Sequence, residues 1–122
     1  SRGVPVVYTS STQSLAALES LVHLNPPVLF SYVAIRITFV NALIEVVPPK
    51  DLAPDWRGEP PPPSTKRIGD AWVRQARSAV LAVPSAIISG EPNFLLNPAH
   101  PDFKKILLGK SRRFAFDPRL LA

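Results

Sequence analysis

Proline sets the first limit on what this chain can become. It occurs 15 times in 122 residues, and each copy fixes one backbone dihedral and removes one hydrogen-bond donor. Helices and strands must therefore be short and joined by stiff turns. The densest stretch covers residues 48–64 and includes four consecutive prolines at positions 60–63. A ligand for SH3 or WW domains is one use of such a run. A stiff surface connection between two packed halves is the plainer use at this length. It is not a domain boundary, because neither flank is long enough to bury a core of its own.

Between the prolines the apolar pattern alternates between strand and helix periods. Residues 3–9 read as a short strand entered through a Gly/Pro turn. Ser10, Ser11 and Thr12 then offer caps for a helix. In that helix Leu15, Leu18, Leu21 and Val22, with Ala16, mark one apolar face, and Asn25-Pro26-Pro27 ends it. Residues 30–39 are β-branched and aromatic. Val33, Ile35 and Ile37 alternate there with Ala34, Arg36 and Thr38, which predicts one buried face and one partly wet face. A further apolar piece at 43–47 stops at Pro48-Pro49. Ser64 or Thr65 is the expected cap of a second helix, with Ile68, Trp72, Val73 and Ala76 on one side. Residues 79–88 form a strand whose internal Pro84 predicts a bulge or an edge position. Phe94 to Asn97, residues 106–108 and residues 113–116 are strand-like, and 98–102 is a polar loop. The expected architecture is α+β: a single domain of mostly antiparallel strands with a few helices and no regular βαβ repeat.

Composition narrows the chemistry. Apolar residues make up 46% and charged residues 19%, as in ordinary globular domains. There is no cysteine, so disulfides, thiolate nucleophiles and Cys-ligated zinc are excluded. No apolar run reaches the length of a membrane span, and the opening residues do not read as a signal peptide. A cytoplasmic protein is expected. There is no methionine even at position 1, which predicts a processed or trimmed chain. No Gly-rich phosphate loop, G-x-S-x-G elbow or H-E-x-x-H motif is present. His23 and His100 are far apart and lack metal-spaced partners, so local hydrogen bonding is their expected role and no metal site is expected. The net charge of +5 suits nucleic acid, an anionic cofactor or an acidic partner. Its basic residues cluster late, at Lys66-Arg67, Arg74, Arg77 and 104–113, without interleaved aromatics. A solvated basic face is the plainer account.

Glu19 stands out as the one acid in a mostly apolar helical segment, bordered by Leu18 and Leu21-Val22. An exposed helix glutamate is the plainer reading from pattern alone. Tyr8, on the preceding strand, reads as a core aromatic with a wet hydroxyl. Ser85 follows a mid-strand proline, where a bulge can re-aim a side chain.

Five blocks gather these residues in order. They are Pro5-Val6-Val7-Tyr8-Thr9-Ser10, Leu18-Glu19-Ser20-Leu21-Val22-His23-Leu24, Gly69-Asp70-Ala71-Trp72, Val83-Pro84-Ser85-Ala86, and the segment from Asn93-Phe94-Leu95-Leu96-Asn97 to Phe103. Together they resemble the RES-domain family, named for an arginine, a glutamate and a serine. Glu19 and Ser85 match the last two. The family arginine stands in a Gly-Arg-Trp segment several residues upstream of the strand that holds Tyr8. That point falls before Ser1, and Arg2 lies too close to Tyr8 to be its counterpart. The resemblance therefore reads residues 1–122 as a RES domain lacking its N-terminal segment.

The resemblance implies a fold similar to ADP-ribosyltransferases. It also implies the role of toxin in a type II, Xre/RES-type bacterial toxin–antitoxin pair. The implied reaction is cleavage of the nicotinamide–ribose bond of NAD, by hydrolysis or phosphorolysis, with NAD as substrate and no metal. Glu19 would stabilise the ribosyl cation, Tyr8 would pack against nicotinamide, Ser85 would hydrogen-bond ribose or amide, and Asn93 would complete the pocket. The implied partner is a helix-turn-helix, Xre-like antitoxin. Homodimerisation within a larger complex is compatible with this, and nucleic acid would be met only through the antitoxin. Glycosidases normally need a second carboxylate to protonate the leaving oxygen. Nicotinamide leaves NAD neutral, so one carboxylate suffices. The acceptor stays open among water, phosphate and a protein side chain. Transfer to protein would make the chain an ADP-ribosyltransferase. A basic nucleic-acid-binding module and an inactive antitoxin-binding member are the alternatives of other classes.

Overall fold

The β-branched and leucine-rich segments near residues 80 and 94 lie side by side at the centre of a four-stranded sheet. The computed structural model describes residues 6–23, 32–48, 63–88 and 90–115, with 52, 54, 56 and 119 as single positions. The side chains of 20–23 and 63–66 lie outside that description. The strands are β1 (Val7–Ser10), β2 (Tyr32–Thr38), β3 (Ile44–Val46), β4 (Val80–Pro84), β5 (Pro92–Leu96) and β6 (Leu107–Phe114). The helices are α1 (Gln13–His23) and α2 (Pro63–Arg74). The main sheet has the order β1-β5-β4-β3, and β2 pairs with β6 in a separate ribbon. Every pairing is antiparallel except that of β3 with β4. The expected α+β class with mostly antiparallel strands holds.

Two apolar clusters cover the two faces of the main sheet, as the period-two alternation of strand side chains requires. On one face Trp72 of α2 packs with Val47 and Leu81, joined by Ile68, Val73, Val83 and Leu95. On the other, Val80, Leu96, Leu43, Ala79 and Ile106 form the cluster, with Ile37, Phe39, Phe94 and Phe103 against it. The Trp72 ring is fully buried. Its Nε1 donates to Ser78 Oγ at 2.8 Å, and that hydroxyl donates to the Val80 carbonyl at 2.7 Å. The indole is thus tied to the start of the central strand, with no buried donor left over.

Several elements depart from expectation for local physical reasons. Helix α2 begins at Pro63, where a missing N–H costs nothing, so Ser64 and Thr65 lie inside the helix instead of capping it. Strand β4 ends at Pro84, which faces Pro92 across the ladder. The proline therefore terminates a central strand; it does not mark an edge. Residues 85–88 form a turn. Residues 107–114 make one continuous strand, not two pieces. The face carrying Val33 and Ile35 was expected to be buried, yet these residues are 63% and 50% exposed. Among the described residues, strand β2 pairs only with β6, and only its Ile37 end reaches the core. Within that ribbon the register shifts by one residue between Ile35 and Ile37. Gly109 sits at the shift, where an added Cβ would lie 3.1 Å from the Arg36 carbonyl oxygen. Residues 24–30 and most of the proline-rich stretch lie outside the described residues.

The end of α2 is a Schellman-type stop. Ala76 N–H donates to the Val73 carbonyl and Arg77 N–H to the Trp72 carbonyl, while Ala76 has a φ of 49°. Glycine normally fills this left-handed position. Arg77 then grips Glu45 of β3 with two bonds of 3.1 and 2.7 Å. Ala76 is exposed, so a change there disturbs no packing. Ala76→Gly should raise stability by about 1 kcal/mol through relief of the left-handed penalty, measured by urea unfolding. An unchanged or lower midpoint would contradict this account.

Candidate active site

The site grows from the tight turn between β1 and α1. The Ser11 N–H donates to the Pro92 carbonyl at 3.1 Å, anchoring the turn to the entry of β5. Thr12 caps the helix: its Oγ1 accepts from Leu15 N–H at 3.0 Å. Of the three expected caps, Thr12 performs the task. Glu19 follows seven residues later, two helical turns on, and one turn beyond the buried Leu15. The inward face of α1 therefore carries Leu15 and Glu19, whereas Leu18 is exposed. Leu21 and Val22 lie outside the described side chains.

Glu19 is only 7% exposed, so the plain expectation of a solvated helix glutamate is overturned. Neutral donors compensate for its burial. Asn93 Nδ2 donates to Glu19 Oε2 and, at 2.8 Å, to the Tyr8 hydroxyl. That hydroxyl donates in turn to the same Oε2 at 3.2 Å. Both donors converge on one carboxylate oxygen. Oε1 has no hydrogen-bond partner among the described residues, and none of their cations pairs with this carboxylate.

Strand register explains the convergence. Ser10 and Asn93 are direct partners across β1 and β5, and Tyr8 lies two residues before Ser10, hence on the same face. Ser10 Oγ donates to Asn93 Oδ1 at 2.8 Å. Asn93 is 1% exposed, so its amide is fully committed within this network. Tyr8 is 55% exposed as a residue; it does not behave as a core aromatic. Its hydroxyl is held well above the ordinary phenol range by burial, then by the charge and hydrogen bond of Glu19, against a smaller opposing effect of Asn93. The phenol stays neutral at physiological pH and remains a donor.

Ser85 stands apart from this trio. It is 1% exposed, and its Oγ accepts from Ile87 N–H and Ile88 N–H, both at 3.1 Å. The hydroxyl holds the turn after β4 and makes no hydrogen bond to Tyr8, Glu19 or Asn93. Its position is nonetheless near the trio in the ladder, two residues after Val83, the cross-strand partner of Asn93. Sequence reasoning missed Ser10, which it assigned to capping alone. The i, i+2 spacing from Tyr8 was the available signal. His100 does act locally, accepting from Asp102 N–H through Nδ1 at 3.0 Å, while the His23 side chain lies outside the described residues.

Comparison with known proteins identifies the family. The family model described as RES domain matches residues 1–117. The chain belongs to the RES-domain family. A Prs ADP-ribosylating toxin of Sphingobium sp. (strain YBL2) is 41% identical over 98% of this chain and 76% of its own length. A Toxin Res of Yersinia enterocolitica is 37% identical over 98% of this chain and 80% of its own length. A Toxin Res of Photorhabdus laumondii is 36% identical over 98% and 78% respectively. The RES-domain assignment carries with it a fold similar to ADP-ribosyltransferases and a place among bacterial toxins. No described helix is long and apolar enough to cross a membrane.

Two measurements check the site as built. In a Tyr32→Phe chain Tyr8 is the only tyrosine, so ultraviolet titration reports it alone. Its phenolate should appear well above pH 10, the ordinary value. Because the folded state then holds the proton more tightly than the unfolded one, its stabilising effect should be lost as pH rises beyond about 10. A midpoint at or below the ordinary value would refute the network. Ser85→Ala should lower stability by about 1–3 kcal/mol, because two turn N–H groups lose their buried acceptor; thermal unfolding at neutral pH measures it.

Proposed function

We propose that this RES-domain protein is a toxin that cleaves the nicotinamide–ribose bond of NAD. The observation that carries the proposal is the state of Glu19. Among the described residues no cation pairs with this buried carboxylate, a costly state that is matched to a ligand bringing positive charge. Oxidised NAD carries that charge on its nicotinamide ring. As the glycosidic bond breaks, the bonding electron pair leaves with the ring nitrogen, and the charge moves to the ribosyl group. A fixed anion beside that carbon stabilises the developing cation without rearranging at the moment of reaction. Oε1 of Glu19, without a hydrogen-bond partner among the described residues, would accept from the ribose hydroxyls. The half-exposed Tyr8 would stack its ring on nicotinamide. Asn93 holds the carboxylate in place. Ser85, with both lone pairs engaged, keeps its O–H to donate to the ribose or the amide.

The ribosyl cation is captured by an oxygen nucleophile that loses its proton to solvent. With water or phosphate the outcome is NAD depletion. A second reading, transfer to a protein side chain, is favoured by one observation, the name of the Sphingobium relative as an ADP-ribosylating toxin. Label on the adenylate of NAD separates the two, since hydrolysis leaves it in small molecules and transfer leaves it on protein. In either case a helix-turn-helix, Xre-like antitoxin is the partner that fits the toxin role, and the cytoplasm is where NAD would be met.

Glu19→Gln should reduce nicotinamide release by at least about 100-fold, the scale for removing a preorganised electrostatic group. The same variant should keep or gain thermal stability, since a charge buried among the described residues without a cation beside it is removed. NADH should not be consumed, because its ring would have to leave as an anion. Unchanged turnover in Glu19→Gln would remove the carboxylate from the mechanism.

A further inference from the structure

We propose that Ser10 is a positioning residue for Glu19, acting through the side-chain amide of Asn93. The proposal rests on the reading of Glu19 as the carboxylate that meets the ribosyl cation. An asparagine amide has one accepting and one donating end, and only the donating end can face a carboxylate. Asn93 presents Nδ2 to Glu19 and Tyr8, and its Oδ1 points back toward β1. There Ser10 Oγ is its donor at 2.8 Å. No other hydrogen bond reaches that buried oxygen among the described residues.

The bonds form a directed chain: Ser10 O–H to the Asn93 carbonyl, then Asn93 N–H to the Glu19 carboxylate. Donation into the carbonyl draws electron density from the amide nitrogen, so its N–H groups bind the anion more strongly. Without the hydroxyl, Oδ1 is a buried acceptor with no donor. The amide then gains by rotating toward water or a backbone donor, and Glu19 and Tyr8 lose their shared donor together. Glu19 would keep its place in α1, because Thr12 and Leu15 set the helix, but its carboxylate would no longer be held toward β5. Ser10 thereby affects the charge that faces substrate without touching substrate itself. The strand register makes this possible, because direct cross-strand pairing holds Ser10 and Asn93 within one hydrogen bond of each other.

The test uses the purified chain with three variants and two readouts. Ser10→Ala removes the hydroxyl, Ser10→Cys keeps its size with a much weaker donor, and Ser10→Thr restores the hydroxyl on a strand-compatible side chain. Initial rates of nicotinamide release should show kcat lowered about tenfold in Ser10→Ala and Ser10→Cys, with KM changed less than about twofold. Ser10→Thr should recover most of the loss. In nitrogen–proton correlation spectra, the two Asn93 side-chain amide protons should be resolved and slow to exchange in the parent chain and in Ser10→Thr. They should collapse toward solvent-exposed values in the other two variants. Should Ser10→Ala fail to fold, Ser10→Cys carries the comparison alone. Unmoved Asn93 amide signals in Ser10→Ala and Ser10→Cys would overturn the proposal. So would a loss of kcat that Ser10→Thr does not restore. If the parent chain released no nicotinamide at all, the NAD-cleavage reading would fall. The amide signals would then decide the Ser10–Asn93–Glu19 link by themselves.

Discussion

One buried asparagine holds the candidate site of this molecule together. Asn93 lies on β5, accepts from Ser10 of β1, and donates to Tyr8 of β1 and Glu19 of α1. Three elements thus meet on a single amide, which supplies donors where a negative charge would otherwise be buried alone. Replacing those donors by a cation would have made an ion pair, stable and closed to ligands. Replacing the glutamate by an apolar residue would have made an ordinary core position. The arrangement present keeps the charge, satisfies one of its oxygens and, among the described residues, gives the other no partner. That is the physical state in which a carboxylate can still respond to a cationic ligand.

The surrounding fold explains why this state persists. The central strand β4 is buried between two apolar clusters, and Trp72 anchors α2 to its start through Ser78. The Arg77–Glu45 pair closes the end of α2 on β3. None of these contacts involves the trio, so a rigid frame holds a network that by itself costs stability. The capped turn at Thr12 and the ladder between Ser10 and Asn93 then transmit that rigidity to Glu19. A directed chain of hydrogen bonds starting at Ser10 is a natural consequence, since a buried amide must have both ends satisfied.

Much of the architecture was legible in the chain itself. The strand at residues 7–10, the first helix, the strands around 80 and 94, and the mixed antiparallel class all follow from apolar period and from proline placement. Proline misleads in two places. The proline run predicts a stiff connection at Pro63 and a bulge or edge at Pro84, whereas each sits where no donor is needed, at a helix start and a strand end. The burial of Val33 and Ile35 was overestimated because alternation predicts which residues share a face, and not what covers it. In the site, the ordered blocks picked out Tyr8, Glu19, Ser85 and Asn93. They could not distinguish the three that share a network from Ser85, whose hydroxyl holds a turn.

The sequence alone, then, determined the residue types, the order of elements and the family, because these depend on local period and on spacing along the chain. Only the tertiary structure decided that Glu19 faces inward, that Oε2 receives both donors, and that Ser10 lies behind Asn93. Those facts depend on the pairing of β1 with β5 across more than 80 residues. A local pattern places a carboxylate on a helix, but strand register decides which neutral groups surround it, and they set what its charge can do.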